Sequence, residues 1–112
     1  MSVKLTDTLS KQLVELSVRE TPEVKIYVCG VTVYDYSHIG HARVFIVFDV
    51  LRRLLMREGF RVRYVQNFTD IDDKIINRAR ELGVSFRDVS EKFINAYLED
   101  SKSLNLLPAD VL

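Results

Sequence analysis

Two histidines, separated by an isoleucine and a glycine, are the residues in this sequence best suited to chemistry. They are His38 and His41, with Gly40 between them. Imidazole donates and accepts hydrogen bonds and changes charge near neutral pH, and glycine lets a ligand approach the backbone closely. Two imidazoles at this spacing can face one phosphate group, so the segment favours a nucleotide phosphate that undergoes displacement. Two isolated histidines are about as often structural as functional, so the surrounding elements have to be considered.

The elements that must position the histidine pair are a strand and a long helix. Residues 24–29 are rich in β-branched and aromatic side chains and predict a strand, which is followed by a loop over residues 30–37. An apolar pattern of helical period then runs from about residue 40 to residue 58. The histidines therefore lie at the start of the helix, where free N–H groups and the helix dipole favour an anion.

The order of the remaining elements predicts an α/β fold. Residues 61–67 form a second predicted strand and residues 70–82 a second helix, which ends at Gly83. Ser85 and Asp88 resemble a capping box that opens a third helix. A strand, a helix and a further strand in this order favour a parallel sheet, with ligands bound beyond the carboxyl ends of its strands.

The N-terminal segment is the least informative part of the chain. Residues 3–21 favour a short hairpin, and a weak helix through Leu9, Leu13 and Leu16 is the alternative. Pro22 marks the end of this segment, because proline restricts the residue before it and cannot donate a hydrogen bond to a sheet.

Apolar residues at helical spacing predict which face of each helix packs inward. The predicted inward residues are Val44, Val47, Phe48, Leu51 and Leu55 in the first helix, Ile71, Ile75, Ile76 and Ala79 in the second, and Val89, Phe93, Ala96, Tyr97 and Leu104 in the third. Arg52, Arg53 and Arg57 indicate the solvated side of the first helix.

Composition limits the classes of function. Sixteen basic and sixteen acidic residues cancel, so no overall positive field is available to hold a nucleic-acid backbone, and any RNA contact must be local. The single cysteine excludes an internal disulfide and fits a reducing compartment. No apolar run is long enough to span a bilayer, and the N-terminus lacks the layout of a secretion signal. We therefore expect a cytoplasmic protein with no membrane partner.

Two blocks of the sequence resemble the cysteine-specific class I aminoacyl-tRNA synthetases. The first is Cys29-Gly30-x-Thr32-Val33-Tyr34-Asp35-x-x-His38-Ile39-Gly40-His41, and the second is Asn67-x-Thr69-Asp70-Ile71-Asp72-Asp73-Lys74-Ile75-Ile76. The resemblance covers about residues 3–112. It implies a partial Rossmann-like (HUP-type) parallel sheet with flanking helices, preceded by the hairpin. It also implies that residues 1–112 are the N-terminal half of the catalytic, nucleotide-binding domain, with the C-terminal half and the anticodon-binding domain outside them.

The resemblance implies a cysteine–tRNA ligase. Such an enzyme activates L-cysteine with ATP to give cysteinyl-adenylate and pyrophosphate, and then transfers the cysteine to tRNA(Cys). In that reaction His38 and His41 would be catalytic and would stabilise the charge of the transition state. ATP would bind in the region 31–41, which also contains Thr32, Ile39 and Gly40. The full enzyme is expected to be a monomer.

The resemblance also implies a zinc ion and a set of substrate contacts. Cys29 matches the first ligand of the zinc ion with which the family recognises cysteine, whereas a lone cysteine at a strand end is otherwise usually a small buried hydrophobe. A thiolate binds zinc far better than a hydroxyl does, which would discriminate against serine. The other zinc ligands of the family are expected beyond Leu112. Gly30, Asn67 and Thr69 are the further expected contacts to the substrate.

Two alternatives stay open on the sequence alone. The ligase that joins cysteine to an amino-sugar inositol in mycothiol synthesis shares the adenylation chemistry, but Ile39 and the intact block 69–76 favour the tRNA enzyme. The chain would otherwise be a non-catalytic nucleotide-binding fragment. The 112 residues alone are expected to have negligible aminoacylation activity, because they lack the Lys-Met-Ser-Lys-Ser loop that clamps the ATP phosphates, and to be capable of self-association.

Overall fold

Four strands and three helices make up the described part of the chain, residues 2–17 and 21–112, in a computed structural model. In chain order they are β1 (Lys4–Asp7), β2 (Gln12–Glu15), β3 (Glu23–Val28), α1 (Ile39–Arg57), β4 (Arg61–Gln66), α2 (Asp73–Leu82) and α3 (Phe86–Ser103). Residues 18–20, which belong to the predicted hairpin segment, lie outside the described residues. None of the helices within these ranges combines the length and the apolar character that crossing a bilayer requires.

The first two strands form the predicted hairpin. β1 and β2 are antiparallel, with Lys4 opposite Glu15 and Asp7 opposite Gln12. At the turn, Asp7 Oδ2 accepts a hydrogen bond from the N–H of Ser10 at 2.9 Å, a common way for aspartate to hold a turn. The hairpin prediction is confirmed, and the alternative of a helix is wrong.

The other two strands form a parallel sheet, as the order of elements predicted. β3 and β4 run side by side with Val28 opposite Gln66 at their carboxyl ends, and α1 is the crossover between them. On the other edge of β4, Val65 forms a parallel bridge with Val111. β4 therefore lies between two neighbours, and the prediction of an α/β fold with a parallel sheet is confirmed.

The helices cover one face of this sheet. Val28 and Tyr64 share a buried core with Phe45 of α1, Ile75 of α2 and Phe93 of α3. A second cluster at the far end of α1 consists of Val3, Val24, Leu55 and Phe60. Burial of these side chains is the main favourable term in folding, and it ties all three helices to the sheet.

The ends of α2 and α3 follow their sequence signals. Gly83 ends α2 in the left-handed conformation, with φ of 66°. Ser85 and Asp88 form the predicted capping box, in which Ser85 Oγ accepts the N–H of Asp88 at 3.2 Å and the Asp88 carboxylate accepts the N–H of Ser85 at 3.4 Å. The predicted start of α2 at residue 70 is wrong, because Asp72 caps the helix and α2 begins at the next residue.

Several predicted core positions are wrong. Val44 and Val47 of α1 are exposed, Phe45 is buried although it was not predicted, and Leu55 is buried as predicted. α1 is apolar on most of its circumference, so spacing alone does not identify the face that packs against the sheet. Three further residues predicted to point inward are also exposed, namely Ile71, Ile76 and Leu104.

Arg52, predicted to be solvated, is buried in the structure, with 7% of its surface exposed. Its guanidinium donates to the Pro108 carbonyl at 2.8 Å and to Asp110 Oδ2 at 3.2 Å, and lies 5.0 Å from the centre of the Tyr64 ring. Asp110 Oδ2 also accepts the N–H of Tyr64 at 2.7 Å. Arg52 is buried because it attaches residues 108–111 to β4.

Replacement of Arg52 by leucine should lower the free energy of unfolding by about 2 kcal/mol, because the Asp110 carboxylate and the backbone carbonyls lose their donor. The effect is smaller than for a fully buried ion pair, since the Asp110 side chain is 44% exposed. The matched control is Arg57→Leu, in the exposed last turn of α1, which should change the free energy by less than about 0.5 kcal/mol. Urea unfolding measures both, and equal effects would contradict the assigned role.

Candidate active site

The carboxyl ends of β3 and β4 meet at one edge of the sheet, and hydrogen bonds join the segments that follow them. Thr32 and Thr69 form a parallel bridge. The N–H of Val33 donates to the Thr69 carbonyl and the N–H of Thr69 donates to the Val31 carbonyl, both at 3.1 Å. These bonds extend the pairing beyond the strands, so predicted site residues from the two sequence blocks lie together at the edge where α/β proteins bind ligands.

Gly30 and Asn67 make a close contact at this edge. The N–H of Gly30 donates to Asn67 Oδ1 at 2.7 Å. A Cβ atom on residue 30 would overlap the carbonyl oxygen of Asn67, so a residue larger than glycine does not fit. Cys29, one residue earlier, is exposed. The contact therefore brings the predicted metal ligand next to the second block.

Cys29 offers one ligand suited to zinc but not a complete metal site. Within residues 2–17 and 21–112, no group of three or more His, Cys, Asp and Glu side chains is placed to hold a metal ion. Zinc sites in proteins use at least three protein ligands. The described residues therefore do not form a complete site for the predicted zinc ion. They supply one of its ligands, the thiol of Cys29.

The two histidines cap α1 reciprocally. His38 is the N-cap, and its Nδ1 accepts the N–H of Gly40 at 3.1 Å. His41 Nδ1 in turn accepts the N–H of His38 at 3.1 Å, which completes a capping box made of two imidazoles. The rings are stacked, with centroids 3.9 Å apart and planes 21° from parallel. A Cβ atom on Gly40 would lie 2.9 Å from His38 Cε1, so glycine also leaves room for this ring.

This cap determines which ring nitrogens are available to a ligand. In a neutral imidazole that accepts through Nδ1, the proton is on Nε2. His38 and His41 therefore present two Nε2–H donors side by side at the positive end of the helix dipole. In the described first turn of α1 no acidic side chain opposes an anion, and Ile39 leaves 88% of its surface exposed there. The arrangement can bind a phosphate group and stabilise negative charge on its oxygens.

The loop that leads to His38 is supported by aromatic and cationic contacts that the sequence analysis missed. The ring of Tyr36 meets the ring of Phe93 edge-on at 5.0 Å. Lys92 Nζ lies 5.8 Å from the centre of the Tyr36 ring, and Lys74 Nζ lies 5.4 Å from that of Tyr34. Helical spacing indicates that Phe93 is buried but not which loop it meets, so the sequence contains no direct signal for these contacts.

A partly open cavity of about 400 Å³ lies away from these residues. It is bounded by α1, β4, α3 and the C-terminal segment, with Phe45, Tyr64, Gln66 and Tyr97 in its wall. As far as the described residues show, none of the predicted site residues lines it. The candidate site is an open edge of the sheet and not an internal pocket.

The fold is shared with an aminoacyl-tRNA synthetase. The structure of Mycobacterium tuberculosis methionyl-tRNA synthetase in complex with methionyl-adenylate superposes with a TM-score of 0.70 at 20% sequence identity. The match covers 77% of this chain and 17% of that chain. A parallel sheet with a helix that begins at its carboxyl edge is therefore an arrangement also found in a synthetase.

The family model described as tRNA synthetases class I (C) catalytic domain matches residues 15–112. The chain belongs to this family. It is 54% identical over 110 residues to the cysteine–tRNA ligase of Trichodesmium erythraeum, covering 98% of this chain and 22% of the relative. It is 52% identical over 111 residues to that of Thermococcus kodakarensis, covering 99% of this chain and 23% of the relative. The chain thus spans less than a quarter of the length of these relatives.

The histidine cap predicts a stability that falls in mild acid. Partial burial and the neighbouring His38 lower the pKa of His41 from its ordinary value of 6.5. At a pH below the ordinary pKa the histidine of the unfolded chain is protonated, whereas folded His41 is protonated only at lower pH. The free energy of unfolding therefore has its full value above the ordinary pKa and declines as the pH falls through the lowered pKa. Urea unfolding between about pH 7.5 and pH 5 measures the decline.

The comparison variant for this prediction is His41→Asn. Its amide oxygen can accept the N–H of His38 as Nδ1 does, but the amide does not titrate. The decline in the free energy of unfolding should therefore be smaller in the variant than in the unaltered chain. The same decline in both proteins would exclude His41 as its source.

Proposed function

We propose that this chain forms the ATP-binding edge and the first amino-acid contacts of a cysteine–tRNA ligase. In this reaction the carboxylate of L-cysteine attacks the α-phosphorus of ATP and the bond from that phosphorus to the bridging oxygen breaks. Cysteinyl-adenylate and pyrophosphate form, and the cysteine then passes to tRNA(Cys). The observation that carries the proposal is the reciprocal cap of His38 and His41, in a chain of the class I (C) synthetase family. The reaction would take place in the cytoplasm.

The histidine pair suits the charge that develops at the α-phosphate. Attack by a carboxylate places extra negative charge on the non-bridging oxygens in the transition state. Two Nε2–H donors already held by the backbone can stabilise this charge without reorganising during the reaction. Gly40 leaves room beside them, and the ATP region would extend back through Thr32 and Ile39. No protein nucleophile is needed.

The amino-acid side of the site would be the junction that contains Cys29 and Gly30 together with Asn67 and Thr69. These residues lie where the two strand ends meet, and the thiol of Cys29 is exposed there. We propose Cys29 as one ligand of a zinc ion whose other ligands come from outside the described residues. Zinc, when bound, prefers a thiolate to a hydroxyl, which would favour cysteine over serine.

The two alternatives are less well supported. The similar proteins described above are cysteine–tRNA ligases, over nearly the whole of this chain, so a ligase of mycothiol synthesis is not favoured. A non-catalytic nucleotide-binding fragment would bind ATP without cysteine-dependent exchange of pyrophosphate into ATP. That exchange therefore separates the proposal from this alternative.

In an active synthetase, His41→Ala should lower kcat for adenylate formation by roughly 10²-fold or more, because a preorganised donor to the transition state is lost. The Michaelis constant for ATP should change much less. The assay is cysteine-dependent ATP–pyrophosphate exchange by a chimera in which this chain replaces the matching part of the Trichodesmium erythraeum ligase. The matched control is Glu99→Ala, on the exposed surface of α3, which should leave both constants unchanged.

Two outcomes would count against the proposal. A variant that mainly raised the Michaelis constant for ATP would show that His41 binds the ground state and not the transition state. A chimera without cysteine-dependent exchange would contradict the proposed function as a whole. The 112-residue chain assayed alone is expected to show negligible aminoacylation, because its sequence lacks the second motif that clamps the ATP phosphates.

We also propose that the 112-residue chain on its own self-associates through α1, whereas a synthetase of the relatives' length is monomeric. Val47, Val50 and Leu54 form a row along α1 and are exposed to 57%, 60% and 44%. An exposed apolar row of this kind favours association. Val50→Lys should shift the chain toward the monomer in sedimentation velocity, and Leu9→Lys at the 93% exposed hairpin turn should not. A chain that is monomeric up to its solubility limit would contradict this proposal.

A further inference from the structure

The contact between Asn67 and Gly30 joins two residues that are far apart in the chain but adjacent at the sheet edge. The side chain of Asn67 accepts the N–H of Gly30, and the backbone carbonyl of Asn67 occupies the space that a Cβ on Gly30 would need. Gly30 therefore lies against both the side chain and the backbone of one residue, and the side chain makes the hydrogen bond. Farther along the same junction the bonds between Val31, Val33 and Thr69 are all between backbone groups.

The position of this hydrogen bond matters because of the peptide to which the donor belongs. The N–H of Gly30 is part of the planar unit that also contains the carbonyl group of Cys29. An acceptor that holds this N–H therefore restricts the backbone rotation of Cys29 and, with it, the direction of the exposed thiol. The backbone bonds of the junction begin only at Val31, so Asn67 is the nearest of these contacts to Cys29.

We propose that Asn67 is a positioning residue that holds the Cys29–Gly30 peptide and so sets where Cys29 presents its thiol on the amino-acid side of the site. The proposal rests on the proposed function and deepens it. Asn67 Oδ1 accepts the N–H of Gly30 at 2.7 Å, and Nδ2 carries the donor hydrogens of this side chain. A positioning role through Oδ1 and a substrate contact through Nδ2 depend on different atoms of one side chain.

Two variants separate these atoms. Asn67→Leu removes both the acceptor and the donor at similar size. Asn67→Asp keeps an oxygen that can accept the N–H of Gly30, but it removes the donor and adds a negative charge. Asn77→Leu, on the exposed side of α2, is the matched control for introducing leucine in place of asparagine.

The first measurement is amide hydrogen exchange in the 112-residue chain, followed by NMR. In Asn67→Leu the N–H of Gly30 should exchange about tenfold faster or more, since the hydrogen bond that protects it is gone. The N–H of Leu55 in α1 should keep its protection, which distinguishes local release from general destabilisation. Asn67→Asp and Asn77→Leu should leave the exchange of Gly30 within about twofold of the unaltered chain. Unchanged exchange of Gly30 in Asn67→Leu would overturn the proposal.

The second measurement is pyrophosphate exchange by the chimera described above. Asn67→Leu should raise the Michaelis constant for cysteine about tenfold with little change in that for ATP, and Asn67→Asp should restore it. If Asn67→Asp raises the Michaelis constant for cysteine as much as Asn67→Leu does, with that for ATP unchanged and Gly30 still protected, Asn67 contacts the substrate through Nδ2 and the positioning role is wrong. If the unaltered chimera shows no cysteine-dependent exchange, the proposed function fails, and hydrogen exchange still decides whether Asn67 holds the peptide.

Discussion

Hydrogen bonds between residues 30–33 and 67–69 join the two strand ends, and the rest of the site depends on this junction. β3 and β4 have six residues each, and a parallel pair requires a long crossover whose ordering is entropically costly. The junction continues the pairing past the strands, where α1 and α2 are about to begin. It therefore fixes the starting points of both helices relative to the sheet. Without it, the loop that carries the histidines would be attached to the sheet at Val28 only.

The three helices differ in how they begin, and the difference is chemical. α2 and α3 use Asp72 and Ser85 as N-caps, which are common capping residues. α1 uses His38, with His41 in the return position. An acidic cap would interact well with the helix dipole but would repel a phosphate, whereas a neutral imidazole caps through Nδ1 and still donates through Nε2. The same atoms that stabilise the helix start thus orient the donors, which is preorganisation.

Much of this arrangement could be predicted from the sequence because its signals are local. Strand composition, Gly83 and the Ser85 capping box each act within a few residues, and the histidine pair lies at the helix start for the same reason. The spacing of residues along the chain does not show which distant residues come into contact. The burial of Arg52 depends on Asp110, which lies on a different segment, and the exposure of Val47 depends on how α1 is rotated against the sheet.

The polar groups on α1 explain why this helix can connect the site with the far edge of the sheet. Asp49 accepts the N–H of Leu107 at 2.9 Å, and Arg52 holds Asp110, whose Oδ2 also accepts the N–H of Tyr64. Apolar side chains could bury as much area there, but they would not select one backbone register. Because these contacts are directional, they favour the register that places Val111 beside Val65. α1 therefore positions the histidine donors at its start. Through Asp49 and Arg52 it also positions the segment around Val111 that pairs with β4.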